Sequence, residues 1–309
     1  MGDLVSIVIV NYNTEKLLSD CLKSIYEYTR NVSFEIIVVD NNSEEGSLDT
    51  LISSYPQVYF QLLGNNLGFG AANNIGVSVA KGNYVFFLNP DTILVSDAVS
   101  ILYKYLMQHT GTGVCGGNLY KKDMSPAESF QGKSFRSRYN WEILMLFNKK
   151  WETGFNYSDD NCEVRAIMGA DFFMRKDLFL EVKGFDTDFF MYFEEVELCD
   201  RVKNAGYKIV SVPAAKIIHL EGGSAENKND ELKKWSYREH WYSKFIYFSK
   251  VEGLFKTSVI YRAHMFKISL ASLLYSLKGK RDKQEYWNAK KQVITGAYNR
   301  YKNFLGTKK

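Results

Sequence analysis

The sequence predicts an α/β protein with a mainly parallel sheet, followed by a helical appendage. Three observations carry that prediction. Continuous β-branched and aromatic runs alternate with segments of helical period. Polar clusters follow directly on two of the strand ends. From Asp230 onward the chain has no proline, few glycines and long helical periodicity.

The elements read in order as follows. Val5-Ser6-Ile7-Val8-Ile9-Val10 is an unbroken run of the kind that forms a strand buried on both faces. Asn11-Tyr12-Asn13-Thr14 turns the chain, with Thr14 placed to cap a helix whose apolar positions are Leu17, Leu18, Cys21, Leu22 and Ile25. Glu35–Val39 is a second strand, ending at Asp40-Asn41-Asn42-Ser43, and Val58–Leu62 a short third. Ala71–Ala80 reads as a helix, Tyr84–Leu88 as a fourth strand, and Ser96–Gln108 as a helix capped by Ser96. The stretch Met124–Asn161 has no regular pattern. Glu194–Ala205 is a helix closed by Gly206 at C′, followed by strands at Tyr207–Val212 and Lys216–His219. In open α/β sheets ligands bind beyond the carboxyl ends of the strands. Asp40-Asn41-Asn42 and Asn89-Pro90-Asp91 are therefore expected to line one crevice.

Composition narrows the class. The 309 residues are 46% hydrophobic and 24% charged, too apolar for a disordered chain. Four scattered cysteines without a CxxC pair exclude a disulfide scaffold and a zinc ribbon, and point to a reducing compartment. Met1–Ser6 lacks the basic and apolar regions of a secretory leader, and no run of about 18 apolar residues occurs. Charge is unevenly spread. Residues 230–309 hold 18 Lys/Arg against 6 Asp/Glu, a net of +12, which leaves −8 for the other 229 residues of a chain with formal charge +4. The expected organisation is a catalytic domain over 1–228 and a basic, aromatic-rich helical region over 229–309.

Several motifs carry chemistry, each beside a plainer reading. Gly68-Phe69-Gly70 with Gly76 lacks the spacing and first-strand position of a dinucleotide fingerprint. Asn89-Pro90-Asp91-Thr92 is a good turn, and its carboxylate also suits a divalent cation that binds substrate phosphates. Glu194, Glu195 and Glu197 crowd three carboxylates into four residues. They suit a helix N-terminus electrostatically. Crowding also raises the proton affinity of at least one, as general-base work requires. His219 ends an apolar strand and gains interest only from its company.

As an ordered set these segments resemble the family 2 glycosyltransferases with a GT-A fold, in particular the rhamnosyltransferase-like branch. The set comprises Ser6–Asn13, Val39–Ser43, Asn65–Gly76, Phe87–Thr92, Gly184–Asp186, Phe193–Leu198, Ala205–Tyr207 and His219. The resemblance spans roughly residues 4–225. It implies a nucleotide-diphosphosugar-binding α/β fold and transfer of a sugar to an acceptor hydroxyl with inversion. Asp40 then matches the residue that reads the pyrimidine base, and Asn11, Asn13 and Asn42 lie in nucleotide-contacting loops. Asn89 and Asp91 match the ends of the DxD metal motif, and His219 a histidine that completes the metal shell in some members, for Mg²⁺ or Mn²⁺. Glu195 matches the general base, with Glu194 the other candidate. Two departures stand out: Asn89 where many relatives have Asp, and Glu194-Glu195 where relatives have Glu-Asp.

The implied donor is dTDP-L-rhamnose, with a UDP-hexose as the alternative. The implied acceptor is a lipid-linked or growing bacterial surface polysaccharide, and the implied location is the cytoplasm or the inner face of the cell membrane. A nucleotidyltransferase would need a glycine- and basic-rich loop after the first strand, where this chain has Asn11-Tyr12-Asn13-Thr14-Glu15. An inactive sugar-binding or assembly subunit would have lost Asp91 or the acids at 194–197, and neither is lost. The basic tail admits an anionic membrane, the catalytic domain or a second copy in a homodimer as its partner. No nucleic acid is expected, because no recognised binding module accompanies the charge. Leu254, Phe255, Val259, Phe266, Leu270, Leu273, Leu274 and Leu277 form its apolar surface, with Lys256, Lys267 and Lys278 on one face. Trp235, Trp241, Tyr242, Tyr247, Phe248 and Trp287 are expected at a membrane interface.

Overall fold

The structure is a computed structural model that describes residues 3–132, 153–220 and 230–307, with side chains from 233 in the last stretch. The chain divides into two compact units. Of the described residues, the first takes in 3–132, 153–190 and 194–220, and the second takes in 191–193 and 230–307.

In the first unit, β1 (Leu4–Asn11), β2 (Ser33–Asp40), β3 (Tyr59–Leu62) and β4 (Tyr84–Leu88) are parallel neighbours in the order β3-β2-β1-β4. Helices α1 (Glu15–Tyr28), α2 (Asp49–Ser54) and α3 (Phe69–Val79) lie between them in the chain. Val5, Ile7, Val8 and Ile9 of β1 and Val85, Phe86 and Phe87 of β4 are excluded from water. Burial on both faces is why these strands read as unbroken apolar runs.

Further along come β5 (Thr92–Leu94), α4 (Ala98–Gln108), β6 (Thr112–Tyr120), β7 (Phe130–Gln131) and β8 (Thr153–Gly154). They are followed by β9 (Cys162–Glu163), β10 (Ala166–Ile167), β11 (Asp171–Arg175), α5 (Lys176–Glu181), α6 (Glu194–Asn204) and β12 (Lys208–His219). The sheet continues β4-β11-β6-β12-β5, with β9 also on β12, while β10-β7-β8 form a small second sheet. β11 is antiparallel to both β4 and β6, and β12 is parallel to β6. β12 therefore runs in the direction of β4. Its last residue, His219, reaches the same sheet edge as Asn11, Asp40 and Asn89.

The structure departs from the local expectations at several positions. Thr14 makes no capping bond to α1; its hydroxyl donates to Asn11 instead. Ser96 lies before α4 and exchanges hydrogen bonds with the backbone of Lys216, so it fastens the loop to β12. The strands expected at Tyr207–Val212 and Lys216–His219 are one strand with a register shift between Ser211 and Lys216. Pro213 sits in that shift, where a missing N–H is tolerated. β6 was not foreseen, because Gly113, Gly116 and Gly117 dilute its strand signal. The glycines are needed for contact: a Cβ on Gly117 would stand 2.3 Å from the Ala215 carbonyl oxygen. Part of the irregular stretch Met124–Asn161 lies outside the described residues; the rest holds β7 and β8.

Asp171 of β11 is fully buried. Its Oδ2 accepts the Gly117 N–H at 2.5 Å, and its Oδ1 has no hydrogen-bond partner. Burial pushes its carboxyl well above the ordinary aspartate range, against the smaller opposing effect of the Gly117 bond. The folded chain thus binds a proton that the unfolded chain releases above about pH 4. Stability from this site is intact below that pH and falls as pH rises toward the displaced value. Asp171→Asn keeps the acceptor for Gly117 and should flatten this slope in melting temperature measured from pH 4 to 8. An unchanged slope would mean that Asp171 titrates normally.

The second unit is built on α7 (Asp230–Val251), α8 (Leu254–Leu277) and α9 (Arg281–Thr307). Phe245, Ile246, Tyr247 and Phe248 are buried with Ile260, Ile268, Ile294 and Tyr301. Tyr261 stacks on Tyr298 with ring centroids 3.8 Å apart. Trp241, Tyr242, Tyr247 and Phe248, expected at a membrane interface, are core residues instead. Met191 accepts a hydrogen bond from Ser243, and Phe193 packs on Tyr247. Among the described residues no helix is long and apolar enough to cross a membrane.

Candidate active site

Asn11 and Asp40 end adjacent strands in register, so their side chains leave the sheet side by side. Asn11 Nδ2 donates to Asp40 Oδ1 at 2.8 Å and to Ser43 Oγ at 3.1 Å. Ser43 donates its hydroxyl to Asp40 Oδ1 at 2.6 Å and its N–H to Oδ2 at 2.9 Å. Asn13, at φ +53°, donates its N–H to Ser43 Oγ and accepts the Glu44 N–H on Oδ1. Thr14 Oγ1 closes the network on Asn11 Oδ1 at 2.7 Å. The loops after β1 and β2 are thereby tied together. Two donors occupy Asp40 Oδ1 and one occupies Oδ2, so Oδ2 retains an acceptor position. Asn42, at φ +68°, is exposed beside it.

Two further asparagines join the next loops. Asn41 donates to the Gly68 carbonyl at 3.2 Å and accepts the Leu67 N–H at 2.8 Å. Asn74 brackets Phe185, accepting its N–H at 2.9 Å and donating to its carbonyl at 2.8 Å. Phe185 is held among Phe87, Phe172 and Phe179, with centroids 5.0–6.1 Å from its own. Each such buried ring contributes about 1.5–3 kcal/mol. Gly68 has φ +84°, and a Cβ there would lie 2.3 Å from the Phe190 carbonyl oxygen, which already accepts the Phe69 N–H. Gly68→Ala should therefore cost at least about 1 kcal/mol in denaturant melts and lower activity with it. Wild-type stability in that variant would mean that the loop yields freely.

Asp91 and His219 meet where β4 and β12 end. His219 Nε2 lies 3.3 Å from Asp91 Oδ1, and both side chains are mostly buried. The Asp91 carbonyl accepts the Leu220 N–H at 2.9 Å, which pins the two segments. Asn89 accepts the Thr92 hydroxyl on its backbone oxygen at 2.7 Å and donates its N–H to Ala170. No group of three His, Cys, Asp or Glu converges among the described residues. A carboxylate and an imidazole fit a divalent cation that completes its shell with substrate phosphates and water. Beneath them, burial pushes the Cys21 thiol up to about 12, against a partial lowering by its contact with Thr92. It is no nucleophile.

The acids open α6. Glu194 and Glu195 are 5% and 8% exposed, although carboxylates normally seek water. Glu197 is neutralised by Arg201, which holds both of its oxygens at 2.7–2.9 Å. Burial first, and the charge of Glu195 second, raise the Glu194 carboxyl well above the ordinary range. Its Oε2 has no hydrogen-bond partner. Tyr192 and Phe193 just before it stand at φ +71° and +70°, strained values for bulky residues. The stem of Glu195 passes over Gly169, where a Cβ would lie 3.8 Å from its Cβ and Cγ. Residue 170 is the one that binds Asn89. The acid pair and the Asn89–Asp91 turn thus share one supporting segment.

Residues 6–181 match the family described as glycosyl transferase family 2. This chain belongs to that family. Rhamnosyltransferase WbbL of Escherichia coli K12 is 27% identical over 259 residues, covering 80% of this chain and 93% of that protein. The N-acetylglucosaminyl-diphospho-decaprenol L-rhamnosyltransferase of Mycobacterium tuberculosis is 28% identical over 244 residues, 72% of this chain and 78% of that one. In fold this family 2 glycosyltransferase resembles GalNAc-T7, crystallised with UDP, GalNAc and Mn²⁺, at a TM-score of 0.60 and 16% identity. The likeness covers 81% of this chain and about half, 51%, of that one. Mannosyltransferase PcManGT of Pyrobaculum calidifontis, in complex with GDP-Man and Mn²⁺, follows at 0.55 and 14% identity, covering 96% of this chain and 86% of its own. The first unit has the GT-A fold, and the enzyme class is glycosyltransferase.

Asn11, Asn13, Asp40, Asn42, Asn89, Asp91 and His219 lie at one edge of the sheet or on the loops that leave it, and Glu194 and Glu195 open α6. Ser43, Asn41, Asn74 and Gly169 were missed as organisers of that edge. Only pairing in space identifies them, although the Asn-rich runs Asp40-Asn41-Asn42-Ser43 and Asn73-Asn74 marked where to look.

Proposed function

We propose that this family 2 glycosyltransferase is inverting and divalent-cation-dependent. It transfers L-rhamnose from dTDP-L-rhamnose to a hydroxyl of a lipid-linked or growing surface polysaccharide on the cytoplasmic side. The catalytic domain is residues 1–228. The observation that carries the chemistry is the buried Glu194-Glu195 pair beside the segment that supports Asp91. The donor rests on the two relatives named rhamnosyltransferases, each similar over most of both chains.

The geometry supports a role for each residue. Asp40 Oδ2 takes the imide N–H of the pyrimidine, while Asn11 and Ser43 hold the carboxylate still. Asn13 and Asn42 flank that position on left-handed turns. Asp91 and His219 would hold Mg²⁺ or Mn²⁺, with Asn89 shaping the turn, and a cation held there would supply positive charge to the leaving diphosphate. The raised carboxyl of Glu194 favours its protonated form, which accepts no further proton. Glu195 takes the proton of the acceptor hydroxyl. As that oxygen bonds to the anomeric carbon, the nucleoside diphosphate leaves from the opposite face. One displacement gives inversion and needs no covalent intermediate.

A UDP-hexose donor is the second reading, favoured by Asp40, whose free acceptor position reads uracil and thymine alike. A donor screen tests both. Incubation with dTDP-L-rhamnose should release dTDP in the presence of Mn²⁺ or Mg²⁺, well above release of UDP from UDP-hexoses. Preferential UDP release would transfer the assignment to the second reading.

A further inference from the structure

The helical unit carries an apolar ridge turned to water. Phe255, Phe266 and Leu277 of α8 are 80%, 72% and 76% exposed, and Leu270 and Leu273 lie with them. At 100° per residue these five, with Val259, fall within about 60° of one another on the helix. Thr257, Ile260 and Ile268 occupy the opposite side and are buried. The ridge therefore does not serve the core of its own unit. It runs about 33 Å along the helix at 1.5 Å per residue. Large apolar side chains aligned in this way on a water-facing surface mark a binding surface.

Charge selects the occupant. The 24 residues of α8 contain no Asp or Glu. Arg262 is exposed next to the ridge, and Lys278, Lys280 and Arg281 are exposed where it ends. A second copy of this chain would set this cationic, acid-free face against its own like. An anionic lipid surface supplies the opposite charge and an apolar layer together. No described helix is apolar enough to cross a membrane. The ridge would then lie in the plane of the surface, not through it.

We infer that the outward face of α8 docks this enzyme on an anionic membrane, with Phe255, Phe266, Leu270, Leu273 and Leu277 seated at the headgroup–acyl boundary and the Lys278–Arg281 turn on lipid phosphates. The inference concerns this face alone and is independent of the sugar transferred.

Vesicle flotation of the full-length protein tests it. Phosphatidylglycerol-containing vesicles should carry the protein at about 0.1 M salt, and phosphatidylcholine vesicles should carry much less. Raising salt to about 1 M shortens the Debye length from about 10 Å to about 3 Å and should weaken binding. The triple variant Phe255→Ser, Phe266→Ser, Leu273→Ser removes side chains that are exposed in the free protein. It should keep the wild-type melting temperature and nucleotide-release rate, and lose at least about tenfold in partitioning. A second variant, Lys278→Gln, Lys280→Gln, Arg281→Gln, leaves the ridge intact and should lose the preference for anionic lipid. Three results would overturn the inference. One is a wild-type protein that ignores anionic vesicles at low salt. Another is a serine variant that binds them as well as wild type does. The third is a solution dimer, measured by light scattering, that the serine variant dissolves while neither form binds vesicles; the face would then belong to a second copy.

Discussion

Replacing Glu195 by Gln should lower turnover by about 10²–10⁴, the usual worth of a positioned general base. Gln keeps the shape of the side chain and removes the proton acceptor, so the Kd for dTDP should change little. The informative comparison is Glu194→Gln. Burial and the neighbouring charge push the Glu194 carboxyl well above the ordinary range, and Gln is isosteric with its protonated form. Its Oε2 has no hydrogen-bond partner, so the substitution breaks no recorded bond there. Glu194→Gln should therefore retain activity within about tenfold of wild type, a loss of about 1.4 kcal/mol or less in transition-state stabilisation. It should also leave the apparent donor KM unchanged. An inactive Glu194→Gln beside an active Glu195→Gln would exchange the two roles and show that the displaced proton affinity marks the base itself.

Asp91→Ala should abolish transfer and the cation dependence of nucleotide binding together. The Asp91 backbone carbonyl holds Leu220 whatever the side chain is, so the fold should survive. Calorimetric titration of dTDP with and without Mn²⁺ provides a readout that needs no turnover. Wild type should bind more tightly with the cation, and Asp91→Ala should bind equally in both conditions. His219→Ala should show a smaller loss, because a lone carboxylate still binds a hard cation and water can take the vacated position. Full activity of Asp91→Ala in excess chelator would remove the cation from the mechanism. These tests differ from vesicle flotation in what they can overturn: they address the strand-edge residues, whereas flotation addresses α8 alone.

Much of this architecture was legible in the sequence, because local periodicity and burial pointed the same way. β1, β2 and β4 are buried on both faces, so their apolar runs are continuous and their polar ends stand out sharply. α6 was legible from the acids at its start and Gly206 behind it at φ +92°. The order of motifs alone picks out Asn11, Asp40, Asp91, Glu195 and His219 as candidates. What the sequence could not express was partnership across long separations. β6 owes its existence to neighbours that need its glycines, and Ser96 belongs to β12, 120 residues away, not to the helix it precedes. Ser43, Asn41 and Asn74 are ordinary loop residues until the sheet brings Asn11, Gly68 and Phe185 to them. The same holds for the aromatics of the basic region. Composition made Trp241, Tyr247 and Phe248 equivalent to Phe255 and Phe266, and only helix packing put the first three in the core and the last two in water. Sequence determines which faces are apolar, through periodicity. Tertiary structure decides which of those faces is covered, because burial depends on what the rest of the chain brings to it.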